Sequence, residues 1–202
     1  MEIYKLLAEV KVIYPTPGRI SQEKTIYLIE AFLSQGSGGD REEVVTTSLF
    51  REIANRFGLF DEIKRGKVNA PDISSGMTAD IECYSKGRVA LMAEVKDKTL
   101  TMTELESKLE TARAEKIKEI LFIAEKGIED DKKSKIKQRV NSEFTSGQNI
   151  YILKLIEFAN SILVLLGEEG RVSFINRIGL ELDRGNSSIL HRKTWANLLR
   201  EI

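Results

Sequence analysis

The sequence contains a single cysteine and a single histidine, and this scarcity excludes several kinds of chemistry. Cys83 has no second cysteine with which to form a disulfide bond, so we expect a protein of the reducing cytoplasm. One cysteine and one histidine cannot supply the tetrahedral ligand set of a structural zinc site. No G-x-S-x-G pattern is present to accompany His191 in a serine hydrolase site. The remaining chemistry would use carboxylates, lysines and a hard cation such as Mg²⁺.

Long apolar runs and an excess of charge of one sign are also missing. Runs such as residues 162–166 are far shorter than the ~20 residues of a membrane-spanning helix, so we expect no membrane span. The first five residues lack the basic start and long apolar stretch of a secretory signal, and we expect none. The 31 Lys and Arg balance the 31 Asp and Glu. A nucleic-acid-binding protein is still compatible with zero net charge, because basic residues can gather on one face.

The 202 residues, of which 42% are hydrophobic, suit one ordered domain with a full core. Apolar periodicity predicts helices over residues 20–34, 40–57, 102–118 and 130–144, strands over 79–85, 88–96, 119–124 and 149–153, and helical structure from 156 onward, broken near Gly167, Gly170 and Gly185–Asn186. We expect Asp40 to cap the second helix. Residues 61–65 are too polar for a core strand. The order predicts an α/β fold in which helices flank a central mixed sheet.

We divide the chain into three parts of one domain. Residues 1–37 form an N-terminal strand or helix segment, 38–155 the α/β core, and 156–202 a helical C-terminal extension of the same domain. The stretch from Ser34 to Gly39 is the most flexible in composition.

Two strands joined at Lys86-Gly87 are the most informative part of the sequence, because this dipeptide suits a tight hairpin turn. Alternation along residues 88–96 places Val89, Leu91, Ala93 and Val95 on one face, and Ala90, Met92, Glu94 and Lys96 on the other. Glu94 and Lys96 then emerge side by side, about 7 Å apart. On the partner strand Asp80, Glu82 and Tyr84 share a face, and Asp80 is expected opposite a residue near Ala93, beside Glu94.

This arrangement would bring two carboxylates and an ammonium group together at one sheet edge. Carboxylates from two strands can hold Mg²⁺ while several waters remain on the ion. A bound metal lowers the pKa of its water and neutralises charge on a phosphate. A nearby lysine can orient or deprotonate the attacking water and offset developing charge. The acid-x-Lys triplet occurs five other times in the chain, but only Glu94 combines a strand, a hairpin partner and a preceding aspartate.

The pattern Asp-x13-Glu-x-Lys is the signature of the PD-(D/E)XK nucleases. The chain also contains Pro71-Asp72 followed by Asp80, Gly38-Gly39-Asp40-Arg41 at the start of a helix, Glu94-Val95-Lys96-Asp97, and His191-Arg192-Lys193-Thr194-Trp195. With these segments it resembles the SacI family of type II restriction endonucleases from about residue 38 to residue 195. The resemblance implies a restriction-endonuclease-like fold and a Mg²⁺-dependent, homodimeric endonuclease that cuts double-stranded DNA at a specific sequence. It also implies that Asp80 and Glu94 are metal ligands and that Lys96 is the catalytic lysine.

Several assignments stay open at this stage. Asp72 rivals Asp80, because it belongs to the Pro-Asp dipeptide. Glu43 is a candidate for the additional glutamate that many relatives take from the preceding helix, and Glu82 shares the face of Asp80. Basic residues near the site are candidates for DNA contacts: Lys64, Arg65, Lys67, Lys98 and Arg192. Two other functions are compatible with the pattern, a repair or recombination nuclease of the same superfamily and a DNA-binding module without catalysis.

Overall fold

In a computed structural model, the structure describes residues 11–66 and 77–202. Asp72, Lys67 and the first ten residues of the predicted N-terminal segment lie outside this part. The helices are α1 (Gln22–Leu33), α2 (Asp40–Phe57), α3 (Met102–Ala114), α4 (Lys133–Thr145, preceded by a 3-10 turn at Asp130–Lys132), α5 (Leu155–Arg184) and α6 (Ile189–Arg200). The strands are β1 (Glu62–Arg65), β2 (Ile81–Ser85), β3 (Arg88–Lys96), β4 (Glu119–Ala124) and β5 (Asn149–Leu153). Within the described ranges, no helix is both long and apolar enough to cross a bilayer.

The five strands form one mixed sheet in the order β1-β2-β3-β4-β5. The pairs β1–β2 and β2–β3 are antiparallel, whereas β3–β4 and β4–β5 are parallel. The predicted α/β fold with a mixed central sheet flanked by helices is therefore confirmed. Strand β1, which the sequence did not suggest, lies at the edge of the sheet, where only Ile63 is buried. A polar strand is tolerated at that position because, among residues 11–66 and 77–202, one side of it faces no neighbouring strand.

The hairpin between β2 and β3 turns at Lys86 (φ 52°) and Gly87 (φ 72°), the left-handed pair typical of two-residue hairpin loops. Its register shifts between Cys83 and Tyr84. The extra residue on β3 reverses the alternation of side chains on one side of the shift. Val89 consequently packs with Met92, and the prediction that it shares a face with Leu91, Ala93 and Val95 is wrong.

Helices cover both faces of the sheet and create two apolar cores. One core joins α1, α2, α5 and α6 to the sheet face of Ile81, Ala93 and Val95. The other joins α3 and α4 to the face of Met92, Ile120 and Phe122. Helix α5 bends at Gly167 (φ 67°, ψ −172°), as the sequence predicted. Gly170 does not break the helix; it is buried inside it, where a Cβ atom would come within 2.6 Å of the Leu166 side chain.

Candidate active site

Three of the predicted site residues meet at the sheet edge where β3 ends and β2 begins. The pairing of Ile81 with Ala93 continues outward to place Asp80 opposite Glu94. Without the register shift in the hairpin, Asp80 would lie opposite Ala93. The extra residue on β3 moves the partner of Asp80 one residue further along that strand, to Glu94. Asp80 Oδ2 accepts a hydrogen bond of 2.8 Å from the backbone N–H of Val95, which fixes the aspartate against the end of β3.

Glu94 is the centre of this arrangement, and its carboxylate is fully buried. Its Oε1 lies 2.7 Å from Lys108 Nζ and its Oε2 lies 3.3 Å from Lys96 Nζ. Burial, with the charge of Asp80 adding to it, raises the pKa of Glu94 to about 7, although both lysines oppose the shift. A carboxyl with such a pKa changes its charge near neutral pH and responds strongly to any added cation.

Lys108, on α3, is a further residue of this site, and the sequence motif did not include it. Its ammonium also donates to the Thr78 carbonyl at 3.2 Å, so it ties α3 to the segment that leads to Asp80. The helical spacing does indicate that Lys108 lies on the buried side of α3. Lys108 follows Leu105 by three residues and precedes Ala112 by four, and both of these residues are buried. A lysine on the apolar stripe of a helix needs a buried acceptor, which Glu94 supplies.

Lys96 keeps its charge in this environment. Burial alone lowers its pKa, but the carboxylates of Glu94 and Asp80 outweigh that effect and the pKa of Lys96 is raised. Its side chain is 25% exposed and lines a cavity of about 240 Å³ together with Glu94, Thr103, Glu104, Ser107, Lys108 and Phe122. The ammonium group therefore borders both the buried carboxylate and the space that a ligand can enter.

Of the additional acids, Glu43 lies near the site and Glu82 is fully engaged elsewhere. Burial raises the pKa of Glu43 to about 7; Arg65 opposes the shift and Asp80 adds to it. Glu82 accepts hydrogen bonds of 2.7 Å from both the amide and the hydroxyl of Thr78, and one of 2.6 Å from the Tyr84 hydroxyl. Glu82 therefore stabilises the hairpin, whereas Glu43 adds negative charge beside Asp80.

The residues present fit a hard divalent cation held by two carboxylates. Both oxygens of Glu94 are buried, and among residues 11–66 and 77–202 their close polar contacts are the ammonium groups of Lys108 at 2.7 Å and Lys96 at 3.3 Å. The same ranges contain no group of three or more Asp, Glu, His or Cys with the geometry of a metal site. A Mg²⁺ ion here would take Asp80 and Glu94 and keep several waters, which is common for this ion.

A second polar network, which the sequence did not predict, surrounds Asp40. The N-cap of α2 is Gly39, and Asp40 is the first helical residue, so the predicted capping role of Asp40 is wrong. Its carboxylate is turned inward, 2.7 Å from Arg65 Nη2 and 2.6 Å from His191 Nδ1. Burial by itself raises the pKa of Asp40, but the hydrogen bonds from His191 and Arg65 outweigh it and hold the pKa below its ordinary value. Asp40 thus joins α2, β1 and α6.

The basic residues proposed to contact DNA fall into two groups. The side chains of Lys64 and Lys98 are 44% and 61% exposed, and each pairs with a nearby glutamate. Arg65 is only 6% exposed and pairs with Asp40 and Glu43, while Arg192 is 13% exposed beside Asp183. The structure therefore presents the two lysines, but not the two arginines, on the surface. Lys67 lies outside the described residues.

Comparison with known families places this geometry in context. A family model described as the SacI restriction endonuclease C-terminal domain matches residues 18–127, more than half of the chain. The matched region spans α1 through β4 and includes Asp80, Glu94, Lys96 and Lys108. No curated protein matches the sequence.

The raised pKa of Glu94 predicts how the stability of the metal-free protein depends on pH. The ordinary value is 4.5 and the folded value is about 7, so in this window the folded protein holds a proton that the unfolded chain has released. The free energy of unfolding therefore falls as the pH rises from about 5 to about 7.5. Glu43 adds to the fall for the same reason.

Urea unfolding in EDTA at about pH 5 and about pH 7.5 measures this change in the free energy of unfolding. Glu94→Gln should show a smaller fall than wild type, and Glu119→Gln, at the opposite end of the sheet, should keep the full fall. Equal falls in all three proteins would contradict the assignment of the titration to Glu94.

Proposed function

The chain belongs to the SacI restriction endonuclease C-terminal domain family, and we propose that it is a Mg²⁺-dependent endonuclease that hydrolyses phosphodiester bonds of double-stranded DNA. The family implies a restriction-type nuclease with DNA as its substrate. One observation supports the finer proposal, namely that Asp80, Glu94 and Lys96 meet at one edge of the sheet beside an open cavity.

Each residue has a distinct role in this proposal. Asp80 and Glu94 would hold the metal, which supplies charge neutralisation at the phosphate and a more acidic bound water. Lys96 borders the cavity with its charge intact, so it can orient the attacking water and stabilise the negative charge that develops on the phosphate. The water oxygen forms the new bond to phosphorus, the bond to the leaving oxygen of the deoxyribose breaks, and a proton is released from the water.

Lys108 and Glu43 act on the ligands rather than on the DNA. Lys108 lies 2.7 Å from Glu94 and holds this carboxylate in place at the end of β3. Because the pKa of Glu94 is about 7, binding of Mg²⁺ near neutral pH would displace a proton from it. Glu43 adds negative charge close to Asp80, which raises the affinity of the site for a cation.

We also propose that the enzyme acts as a homodimer. Each chain carries one set of Asp80, Glu94 and Lys96, and a duplex has two strands to cut. A twofold pair of chains matches the twofold symmetry of a duplex site. Discrete fragments from plasmid DNA would support sequence-specific restriction, whereas a continuous smear would support a nuclease that reads DNA shape.

Plasmid cleavage tests the proposed reaction. Wild-type protein should cut in Mg²⁺ and should not cut in EDTA. Glu94→Gln should lose cleavage in Mg²⁺, because the neutral amide cannot provide the charge that holds the ion, and DNA binding in Ca²⁺ should persist. Glu119→Gln serves as the matched control and should cut normally. Cleavage in EDTA, or wild-type rates in Glu94→Gln, would contradict the proposal.

A second prediction separates the two candidate aspartates. Asp80 is held opposite Glu94, so Asp80→Asn should reduce the single-turnover rate of cleavage by orders of magnitude. Asp72→Asn should reduce it far less, because the proposed ion is complete without this residue. The two variants differ from wild type by the same chemical change, so their ranking is informative. The opposite ranking would move the metal site to the Pro71-Asp72 dipeptide.

A third prediction tests the charge of Lys96. Lys96→Met keeps much of the side-chain stem and removes the ammonium group, so the rate of cleavage should fall by ~10²- to 10³-fold, as when one preorganised donor is lost. The melting temperature and DNA binding in Ca²⁺ should change little. Lys118→Met removes an exposed lysine at the opposite end of the sheet and should cut at the wild-type rate. Normal cleavage by folded Lys96→Met would show that Lys96 is structural.

A further inference from the structure

A second cavity opens between the first turn of α2, the end of β1 and the turn that joins α5 to α6. We name it the α2–α6 cavity, and its volume is about 720 Å³. Its lining is rich in charged side chains: Asp40, Arg51, Arg65, Glu181, Arg184 and His191. None of these residues has a role in the proposed hydrolysis, so the cavity calls for a separate explanation.

Arg65 brings an unused hydrogen-bond donor to this cavity. Its side chain is 6% exposed; Nη2 donates to Asp40 at 2.7 Å and Nε donates to Glu43 at 3.2 Å. Nη1 has no hydrogen-bond partner among the residues that the structure describes. It lies against Gly185, where an added Cβ atom would come within 2.8 Å of it. A buried guanidinium N–H without an acceptor is unfavourable, and an anionic oxygen at this wall would satisfy it.

His191 lies at the same cavity, and its ring is oriented by the same carboxylate. Its Nδ1 lies 2.6 Å from Asp40 Oδ2, which leaves Nε2 as the ring nitrogen available to a ligand. His191 also lies in the first turn of α6, just after the N-cap Ser188, where the helix dipole favours negative charge.

The arginines of the cavity carry more donor groups than their carboxylate partners accept. Arg51 and Arg184 share the single carboxylate of Glu181, at 2.7 and 2.9 Å. Arg65 pairs with Asp40 and Glu43, so the three arginines have three carboxylate partners. Arg184, whose side chain is 59% exposed, keeps guanidinium N–H groups beyond those that Glu181 accepts. Arginine groups around a partly enclosed space match the geometry of phosphate oxygens particularly well.

The cavity adjoins the proposed metal site. Gly66 lines it, and the Gly66 amide donates a hydrogen bond of 2.8 Å to the Asp80 carbonyl. Arg65 in turn contacts Glu43, the acid that lies near Asp80. Along one DNA strand the phosphates follow at ~3.4 Å of helix axis per nucleotide. A strand whose cleaved phosphate lies at Asp80 continues with further phosphates on both sides, and the contact of Gly66 with Asp80 puts the α2–α6 cavity next to that strand's proposed position.

We propose that the α2–α6 cavity binds a backbone phosphate of the DNA strand, a short distance from the phosphate that is cleaved. Arg65 and Arg184 are the donors, and the His191 ring lies beside them in the lining of the cavity. The proposal rests on the proposed function, because it takes DNA as the substrate. It assigns a binding role to the α5–α6 turn and to α6, which contribute nothing to the proposed metal site.

The single histidine provides a direct probe of this cavity. The NMR signal of the imidazole Cε1–H of His191 is followed at constant pH and ionic strength while inorganic phosphate is added, and then while a DNA duplex is added in Ca²⁺ to the Glu94→Gln protein. Both ligands should shift the signal in a saturable manner. Arg184→Ala should weaken both by about tenfold, the effect of losing one hydrogen bond to a charged group. This side chain is 59% exposed and pairs with Glu181, so the variant should fold.

Arg19→Ala is the matched control, because Arg19 is an exposed arginine that pairs with Glu168 outside the cavity. It should bind both ligands as wild type does. Absence of a saturable shift, or equal affinity in Arg184→Ala and wild type, would overturn the proposal. A shift with phosphate but none with the duplex would make the cavity a site for free phosphate and would also overturn it. The readout is binding rather than cleavage, so failure of the proposed hydrolysis gives a different result from failure of this site.

Discussion

The buried carboxylate of Glu94 is the constraint on which the rest of the site depends. An ionised carboxylate without exposure is strongly unfavourable unless opposite charge and hydrogen bonds surround it. Lys96 from the same strand and Lys108 from α3 provide that charge. Asp80, fixed by the Val95 amide, adds a second negative group beside it. Burial, with the charge of Asp80 adding to it, still raises the pKa of Glu94 to about 7, and a divalent cation bound there would favour the ionised form.

The helices of the C-terminal part are connected to this site through polar contacts. His191 on α6 binds Asp40, Asp40 binds Arg65, and Arg65 binds Glu43 beside Asp80. The four side chains come from α6, α2 and the end of β1. Because each is mostly buried, the chain of contacts fixes the first turn of α2 against the edge of the sheet where the proposed metal ligands lie.

The site was predictable from the sequence where the signal was local. Glu94 and Lys96 stand out because two charged residues end an otherwise apolar strand, and Lys86-Gly87 marks the hairpin that brings Asp80 to them. The register shift in that hairpin has no comparable local signal, and it changes the face of Val89. The edge strand β1 was missed because hydrogen bonds to β2, rather than apolar periodicity, define it.

Long-range pairs of charged residues could not be predicted in the same way. Asp40 and His191 are 151 residues apart in the sequence. The acidic residues at the start of α2 are equally typical of a helix cap, so nothing in the sequence near Asp40 indicates a distant partner. The role of Lys108 could have been predicted in part, because a lysine on the apolar stripe of α3 implies a buried partner. The identity of that partner depends on how α3 packs across β3, which no periodicity in α3 specifies.

The position of a bound metal ion is the most direct test of the site at Asp80 and Glu94. Crystals of the protein soaked in Mn²⁺, which replaces Mg²⁺ at oxygen-rich sites, would reveal the ion by its anomalous scattering. We expect a peak within metal–oxygen bonding distance of carboxylate oxygens of both Asp80 and Glu94. A peak at other residues, with the ends of β2 and β3 empty at saturating Mn²⁺, would contradict it.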